Sequence, residues 1–500
     1  MSRLRRLASR LIIVAFLISQ PASAQVEGAA AVHSGFHPLL DGVDALAGRL
    51  TLIREAKHSL DLQYYIWHRD KSGRMVLSAL LDAAERGVRV RLLLDDMNLA
   101  NDRDLFRELD RHPLIEVRLF NPLKYDGTGI SKLARAVELM ANFSDKNKRM
   151  HNKMLLSDGS FAIVGGRNIG DEYFDLKEGE SFRDLDMYTE GPIGAVLTKT
   201  FEGYWNSPVS VSFYQEGTEK RQRELNAEDW RQLRKDIGFT HDQVSEGLPA
   251  SFNRLQGRAD LRSKLIWASG EAMADSPGIL KNDKKGVEDQ LKNWPEPKRT
   301  LLVESAYFIP TSALLKQFQN FMSRSVQIHV LTNSMHSNDV LLAHAGYMGK
   351  REDILRMGIH LFEWRHNKGD SGNQKTGNPY GSQAGLHSKT FVIDDEYVFV
   401  GSLNLDGRSI HINTENGLMI HSRELAGQVS EFINAGMSDE TSWKLSLSCE
   451  KSPCDEDDKK VVWQGRKEGQ VLSIHDEPDE GFWLRTVAKV LSFMPAKNSL

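Results

Sequence analysis

The 500-residue chain is long enough for two or three domains, and 40% hydrophobic, 26% charged and 8% aromatic residues describe a globular protein, not a disordered one. A formal net charge of −4 lacks the strong basic excess of a general nucleic-acid binder. A local basic pocket stays open.

At the N-terminus, Arg3, Arg5, Arg6 and Arg10 precede a short apolar run, Leu11 to Ile18. Pro21-Ala22-Ser23-Ala24 then offers a small-residue cleavage site before Gln25. This is the layout of a secretory signal peptide over residues 1–24, the alternative being an uncleaved membrane anchor. No Cys follows the apolar run, which argues against a lipoprotein, and no other run is long enough to span a bilayer. The expectation is an exported, periplasmic protein, peripheral to the membrane.

An internal repeat then organises the chain. Leu60 to Ile66 reads as a strand, Val76, Leu77, Leu80, Leu81 and Ala84 mark one face of a helix, and Val88 to Leu94 reads as a second strand. The second half repeats the order with Leu301 to Phe308, the helical spacing of Leu314, Leu315, Phe318 and Phe321, and Val326 to Leu331. Each half then reaches a hairpin, Met154 to Gly166 in one and Thr390 to Ser402 in the other. Strands alternating with helices imply an α/β protein whose mixed or parallel sheets carry helices on both faces. The expected division is a first lobe over 25–215, a polar and largely helical linker or insertion over 216–299, a second lobe over 300–445 and a polar tail over 446–500. Within that tail, Phe482 to Met494 is amphipathic, compatible with a membrane surface or with a helix packed on its own domain. The chain's two cysteines, Cys449 and Cys454, flank Pro453. In an oxidising compartment they are expected to close a small disulfide loop.

The chemistry lies in a matched pair of motifs. His151-x-Lys153-x4-Asp158-x6-Gly165-Gly166-x-Asn168 and His387-x-Lys389-x4-Asp394-x6-Gly401-Ser402-x-Asn404 share every spacing and the same place in their repeats. In an extended chain, residues i and i+2 share a face, so His and Lys point the same way. A hairpin led by the Asp returns the chain and brings the Asn beside them. Two copies together gather two imidazoles, two ammonium groups and two amides, which suits a phosphodiester. Lys153, Lys389, Asn168 and Asn404 would stabilise the non-bridging oxygens. One His would attack phosphorus while the other protonates the leaving oxygen. A metal site is the rival for paired His residues, but Lys153 and Lys389 would repel the ion, and no H-E-x-x-H or C-x-x-C accompanies them. No metal or other cofactor is expected. A nucleophilic imidazole needs an acceptor to fix its tautomer. Asp184 and Glu415, each near the start of an apolar strand, are expected to orient one His each.

These motifs resemble the signature of the phospholipase D superfamily. Further runs look like bacterial cardiolipin synthases, most closely the C type. They include Gln63-Tyr64-Tyr65-Ile66-Trp67, Val164-Gly165-Gly166-Arg167-Asn168-Ile169-Gly170-Asp171, Tyr307-Phe308-Ile309-Pro310 and His344-Ala345-Gly346-Tyr347. The resemblance implies two pseudo-symmetric α-β-α sandwich lobes with the active site at their interface, a phosphohistidine intermediate and no metal. It counts His151, Lys153, Asp158, His387, Lys389 and Asp394 as catalytic, and Ser402 as a hydroxyl contact to phosphate that Gly166 lacks in the first motif. The implied reaction is transfer of a phosphatidyl group to phosphatidylglycerol, with phosphatidylethanolamine a further candidate substrate, at a membrane surface and without nucleic acid. Hydrolysis by a phospholipase D, and an exported phosphodiesterase or nuclease, are the alternatives.

Overall fold

The computed structural model describes residues 31–99, 102–124, 131–177, 181–213, 227–238, 257–278, 293, 295–338, 340–365, 385–449, 455, 459–467, 469–478, 486 and 489. The signal-like segment 1–24, Cys454 and nearly all of Phe482–Met494 lie outside them. Cys449 is disulfide-bonded, and Cys454 is the chain's only other cysteine.

The strands of the first half are β1 (Val32–Leu39), β2 (Ser59–Tyr64), β3 (Arg89–Asp95), β4 (Ile115–Phe120), β5 (Met154–Ser157), β6 (Phe161–Gly165), β7 (Asp186–Glu190) and β8 (Ser210–Ser212). The second half supplies β9 (Ile266–Ala274), β10 (Thr300–Ser305), β11 (Gln327–Asn333), β12 (His360–Trp364), β13 (Lys389–Ile393), β14 (Tyr397–Gly401), β15 (Asn416–His421) and β16 (Ser442–Ser448), followed by β17 (Lys460–Lys467) and β18 (Gln470–Ile474). At the centre, β1 and β9 pair antiparallel, Val32 opposite Gly270. From there the order is β1-β7-β6-β5-β2-β3-β4-β8 in one direction. In the other it is β9-β15-β14-β13-β10-β11-β12-β16-β17-β18. Strand for strand, the first eight positions of each arm correspond. The repeat seen in the sequence is therefore a pseudo-twofold about the β1–β9 seam.

Three strands of each arm run parallel, β2-β3-β4 and β10-β11-β12, and such strands are buried on both faces. In β3, Val90, Leu92 and Leu94 meet one core with the helices Gly42–Glu55 and Lys71–Glu85, while Leu93 enters another. The helix Lys71–Glu85 starts where Asp70 accepts the Gly73 N–H at 3.0 Å, a cap contributing about 1 kcal/mol. It buries Met75, Val76, Leu77, Leu80 and Leu81, each stabilising by roughly 1.5–3 kcal/mol. The second core is shared between the halves: Leu156, Val164 and Met187 of one lobe lie in it with Val392, Val398 and Ile420 of the other. The helices Ile193–Trp205 and Arg423–Gly436 also lie in this core.

Two of the expected boundaries need correcting. The stretch 216–299 is not a helical linker throughout: besides the helices Ala227–Ile237 and Arg258–Ser263, it holds β9, the seam strand of the second arm. Its sequence, IWASGEAMA, is poor in large apolar residues because Phe36 of β1 fills the space over it; a Cβ on Gly270 would lie 2.4 Å from the Phe36 ring. The polar tail from 446 contains the last part of β16 and the hairpin β17–β18. It is pinned where Glu477 accepts from Arg351 at 3.0 Å.

Candidate active site

The two H-x-K motifs meet where the lobes touch. His151 and Lys153 immediately precede β5, and His387 precedes β13, which Lys389 begins. Two short backbone bridges cross between the lobes, Met150 with Thr414 and Arg183 with Leu386. In the first, the His151 N–H donates to Thr414 O at 2.9 Å; in the second, the His387 N–H donates to Arg183 O at 2.8 Å. Thr414 and Arg183 are the residues before Glu415 and Asp184. Each bridge thus delivers a carboxylate to the imidazole of the opposite lobe. His151 Nδ1 lies 2.9 Å from Glu415 Oε2 and 3.1 Å from the Ser402 carbonyl, and His387 Nδ1 lies 2.6 Å from Asp184 Oδ2. A carboxylate oxygen at each Nδ1 favours the proton there and leaves Nε2 to face the substrate, although the Lys389 ammonium also lies 3.1 Å from His387 Nδ1.

Both rings are nearly buried, His151 at 7% and His387 at 6% exposure. Burial, then the charges of Lys153, Lys389 and His387, holds the His151 pKa well below the usual value. His387 is also lowered, by burial and Lys389, with Asp184 opposing. Asp184 itself is held at about 2: burial works against its charge, but the His387 hydrogen bond and the charges of His387, Lys389 and Arg167 outweigh it. The two ammonium groups fold back on their own motifs. Lys153 Nζ donates to His151 O at 2.5 Å and Lys389 Nζ to His387 O. Burial, followed by Lys389, pushes Lys153 down to about 7. Burying two ammonium groups is costly unless anions offset them, and Glu415 and Asp184 both do so for Lys153.

Four expected site residues use their polar atoms on the scaffold, away from a ligand. Asp158 and Asp394 are not beside the imidazoles but at the far end of β5 and β13, strands of four and five residues that extend about 13–17 Å. There each occupies a left-handed turn, φ 52° and 53°. Asp158 accepts the N–H groups of Lys57, His58 and Ser59, and Asp394 those of Lys298, Arg299 and Thr300. They tie the hairpins to the starts of β2 and β10, a structural task. Ser402 does not reach out for phosphate: its Oγ donates to Glu415 Oε2 and accepts the Asn416 N–H at 3.0 Å. At the matching position, a Cβ on Gly166 would lie 2.1 Å from Asp184 Oδ1, so glycine makes room for the shorter carboxylate. Asn168 is committed to the scaffold, accepting from the Ile66 N–H at 3.1 Å and donating to Tyr173 Oη at 3.0 Å. Asn404 is buried beside the second motif, and its Oδ1 has no partner among the described residues. It is the asparagine of the pair with an atom left for a ligand.

Other residues of the site were not singled out from the sequence. Tyr65 stands edge-on to His151 at 5.1 Å, and Tyr173 and Phe182 flank His387 at 5.1 and 5.2 Å. Tyr65 lies in a run that carried the family resemblance, which was the available signal. Behind the rings, Asp95 Oδ2 accepts the Met150 N–H at 2.9 Å and pairs with Arg149 at 3.2 Å. Arg183 spans the lobes, donating to Glu304 at 3.1 Å and lying 3.6 Å over the Phe432 ring. Burial raises Glu304 to about 7 despite that Arg. Among the described residues no cluster of three or more His, Cys, Asp or Glu side chains is arranged to hold a metal ion.

A family model described as cardiolipin synthase, PLD-like domain, matches residues 50–205 and 294–436, one segment for each motif. Cardiolipin synthase C of Escherichia coli is 36% identical over 93% of this chain and 95% of its own. The major cardiolipin synthase ClsA of Bacillus subtilis is 25% identical over 78% of this chain and 66% of its own. A solved phosphatidylserine synthase from Haemophilus influenzae superposes with a TM-score of 0.55 at 15% identity, covering 83% of this chain and 89% of that one; it shares the two-lobed phospholipase D fold. With both motif segments matched and a relative aligned nearly end to end, the chain belongs to the cardiolipin synthase family of phospholipase D-like proteins.

Proposed function

We propose that the protein is a phosphatidyltransferase that makes cardiolipin through a phosphohistidine intermediate. The observation that carries this reading is the crossed pair of imidazoles, each held at Nδ1 by a carboxylate of the other lobe, with a buried ammonium beside each. Nε2 of one His attacks the phosphorus of a phosphatidylglycerol. The phosphorus–oxygen bond to its glycerol headgroup breaks as the other His, which enters the step as the imidazolium, gives that oxygen the proton on its Nε2. The same His then takes the proton from a headgroup hydroxyl of a second phosphatidylglycerol, which displaces the imidazole and forms cardiolipin. Lys153 and Lys389 face the non-bridging oxygens, where charge builds. The relatives' names and the aromatic walls around both rings, which keep water from the intermediate, support transfer over hydrolysis. We place the reaction at a membrane surface in an exported compartment. The signal-like N-terminus and the disulfide at Cys449 support that placement.

Incubating the purified protein with phosphatidylglycerol, alone and with phosphatidylethanolamine, and weighing the products tests the reading. Cardiolipin with free glycerol is expected from phosphatidylglycerol alone. Phosphatidic acid as the sole product would replace transfer by hydrolysis, and unchanged lipid would end the reading.

The lysines give a pH signature. A lysine serves the phosphate only when charged, and Lys153 sits at about 7 in the free protein. His151, lowered well below its usual value, keeps its lone pair on the acid side. kcat/KM, which reports the free enzyme, should therefore fall as pH rises through about 7 and hold on the mildly acidic side. A flat profile up to pH 9 would remove Lys153 from the phosphate. Lys153→Ala should cost about 2–4 kcal/mol of transition-state stabilisation.

A further inference from the structure

We propose that the helix Ser131–Ala141, with its continuation Phe143–Lys146, is the surface that seats the protein on an anionic lipid bilayer, next in the chain to the first catalytic motif. The proposal rests on the reading that the substrate is a phospholipid. The helix is turned inside out. Two of its charged residues face the protein: Arg135, buried, donates to Asp96 O at 2.9 Å and pairs with Asp96 Oδ2 at 3.1 Å. Glu138, also buried, accepts the Lys124 N–H at 2.9 Å. Its apolar residues face outward, with Leu133 at 73% exposure, Val137 at 51% and Met140 at 70%, and Phe143 follows at 50%. Positions i, i+4 and i+7 form one stripe of a helix. A helix that faces water shows the reverse arrangement, so this one is built for an apolar medium.

Two further observations say which medium. Beside the stripe, Arg135, Glu138 and Arg149 are buried, and the charges of 121–149 that the described side chains leave wholly or partly at the surface are Lys124, Lys146 and Lys148 against Asp145, in a chain whose net charge is −4. An apolar stripe within a basic segment matches an anionic headgroup layer, not a neutral partner. The patch is also tied to the chemistry. Asp96, which holds Arg135, follows Asp95, which holds the Met150 N–H, and His151 comes next. A phospholipid must bring its phosphate to the imidazoles while its acyl chains stay in the bilayer. Insertion of the stripe by about 5–10 Å sets the site at headgroup depth. On the other lobe, Val340 and Leu342 are exposed at 39% and 44%, just past β11, the counterpart of β3, and they offer a second foothold.

The test places a nitrobenzoxadiazole dye on Met140→Cys of the full chain, with Val471→Cys as control, since Val471 is 74% exposed on the β17–β18 hairpin. With phosphatidylglycerol vesicles the dye at 140 should shift to the blue and be quenched by spin-labelled lipid, with a weaker response to phosphatidylcholine. The dye at 471 should not respond. No response at 140, or an equal one at 471, overturns the proposal. So does a shift at 140 that appears without vesicles as protein concentration rises, which would make the face a contact between copies. In parallel, the triple variant L133Q/V137Q/M140Q should lose at least tenfold in turnover of vesicle lipid. Its turnover of dihexanoyl phosphatidylglycerol, a dispersed monomer, should change less than twofold. Equal losses on both substrates would assign the stripe to folding instead. If the parent turns over neither lipid while the dye at 140 still responds, the catalytic reading fails and the docking surface stands.

Discussion

Replacing either His151 or His387 by Ala is expected to lower kcat by on the order of 10⁴–10⁶, because in the proposed mechanism one ring is the nucleophile and the other the proton carrier opposite it. The losses should not add, since the two act in one step. The crossed carboxylates make the rings unequal. His387 shares a 2.6 Å contact with Asp184, whose carboxyl stays ionised down to about pH 2. Asp184 opposes the burial and the Lys389 charge that lower His387, so of the two rings His387 is the better suited to hold and return a proton. His151 sits 2.9 Å from Glu415 and is pushed well below its usual pKa, so its lone pair is free across the working range. His151 is therefore expected to carry the phosphatidyl group. Given a substrate with a good leaving group, which needs no acid, His387→Ala should still accumulate an acid-labile, base-stable phosphoenzyme, and His151→Ala should not. Phosphate trapped on the chain lacking His151 would exchange the two roles.

How much of this was legible in the residues follows from what spacing can encode. The repeat, the paired strands and the two H-x-K motifs were legible because apolar alternation and identical intervals are local properties. Asp184 and Glu415 could be picked as acids near the right strands. That each serves the His of the other lobe could not be read from either half alone, because it depends on the bridges Met150–Thr414 and Arg183–Leu386. Asp158 and Asp394 misled because belonging to a motif says nothing of position: a hairpin separates them from the chemistry by the length of a strand. Ser402 and Asn168 misled differently. They are near the site, but backbone and side-chain partners already use their polar atoms. β9 escaped because a strand that accommodates Phe36 with Gly270 loses its apolar signature.

The orienting carboxylates carry the second large effect. Asp184→Asn and Glu415→Gln keep shape and volume while replacing an acceptor by an amide that can present N–H to Nδ1. The ring then either loses its partner or turns over its tautomer, moving the proton to Nε2, the atom that must attack or receive. A comparable change behind a catalytic imidazole costs on the order of 10⁴ in kcat, and a fall of about 10²–10⁴ is expected here. Because the bridges cross, Asp184→Asn in the first lobe should disable His387 of the second, and Glu415→Gln should disable His151. The phosphoenzyme assay resolves this. Asp184→Asn should still load phosphate from the activated substrate, as His387→Ala does, whereas Glu415→Gln should load slowly. KM should move little in both, since neither side chain is placed to touch the lipid. Glu415 also accepts from Ser402 Oγ, so Ser402→Ala should give a smaller version of the Glu415→Gln defect and leave loading through His151 slowed but present. Loading that fails in Asp184→Asn and survives in Glu415→Gln would uncross the pairs and refute the arrangement.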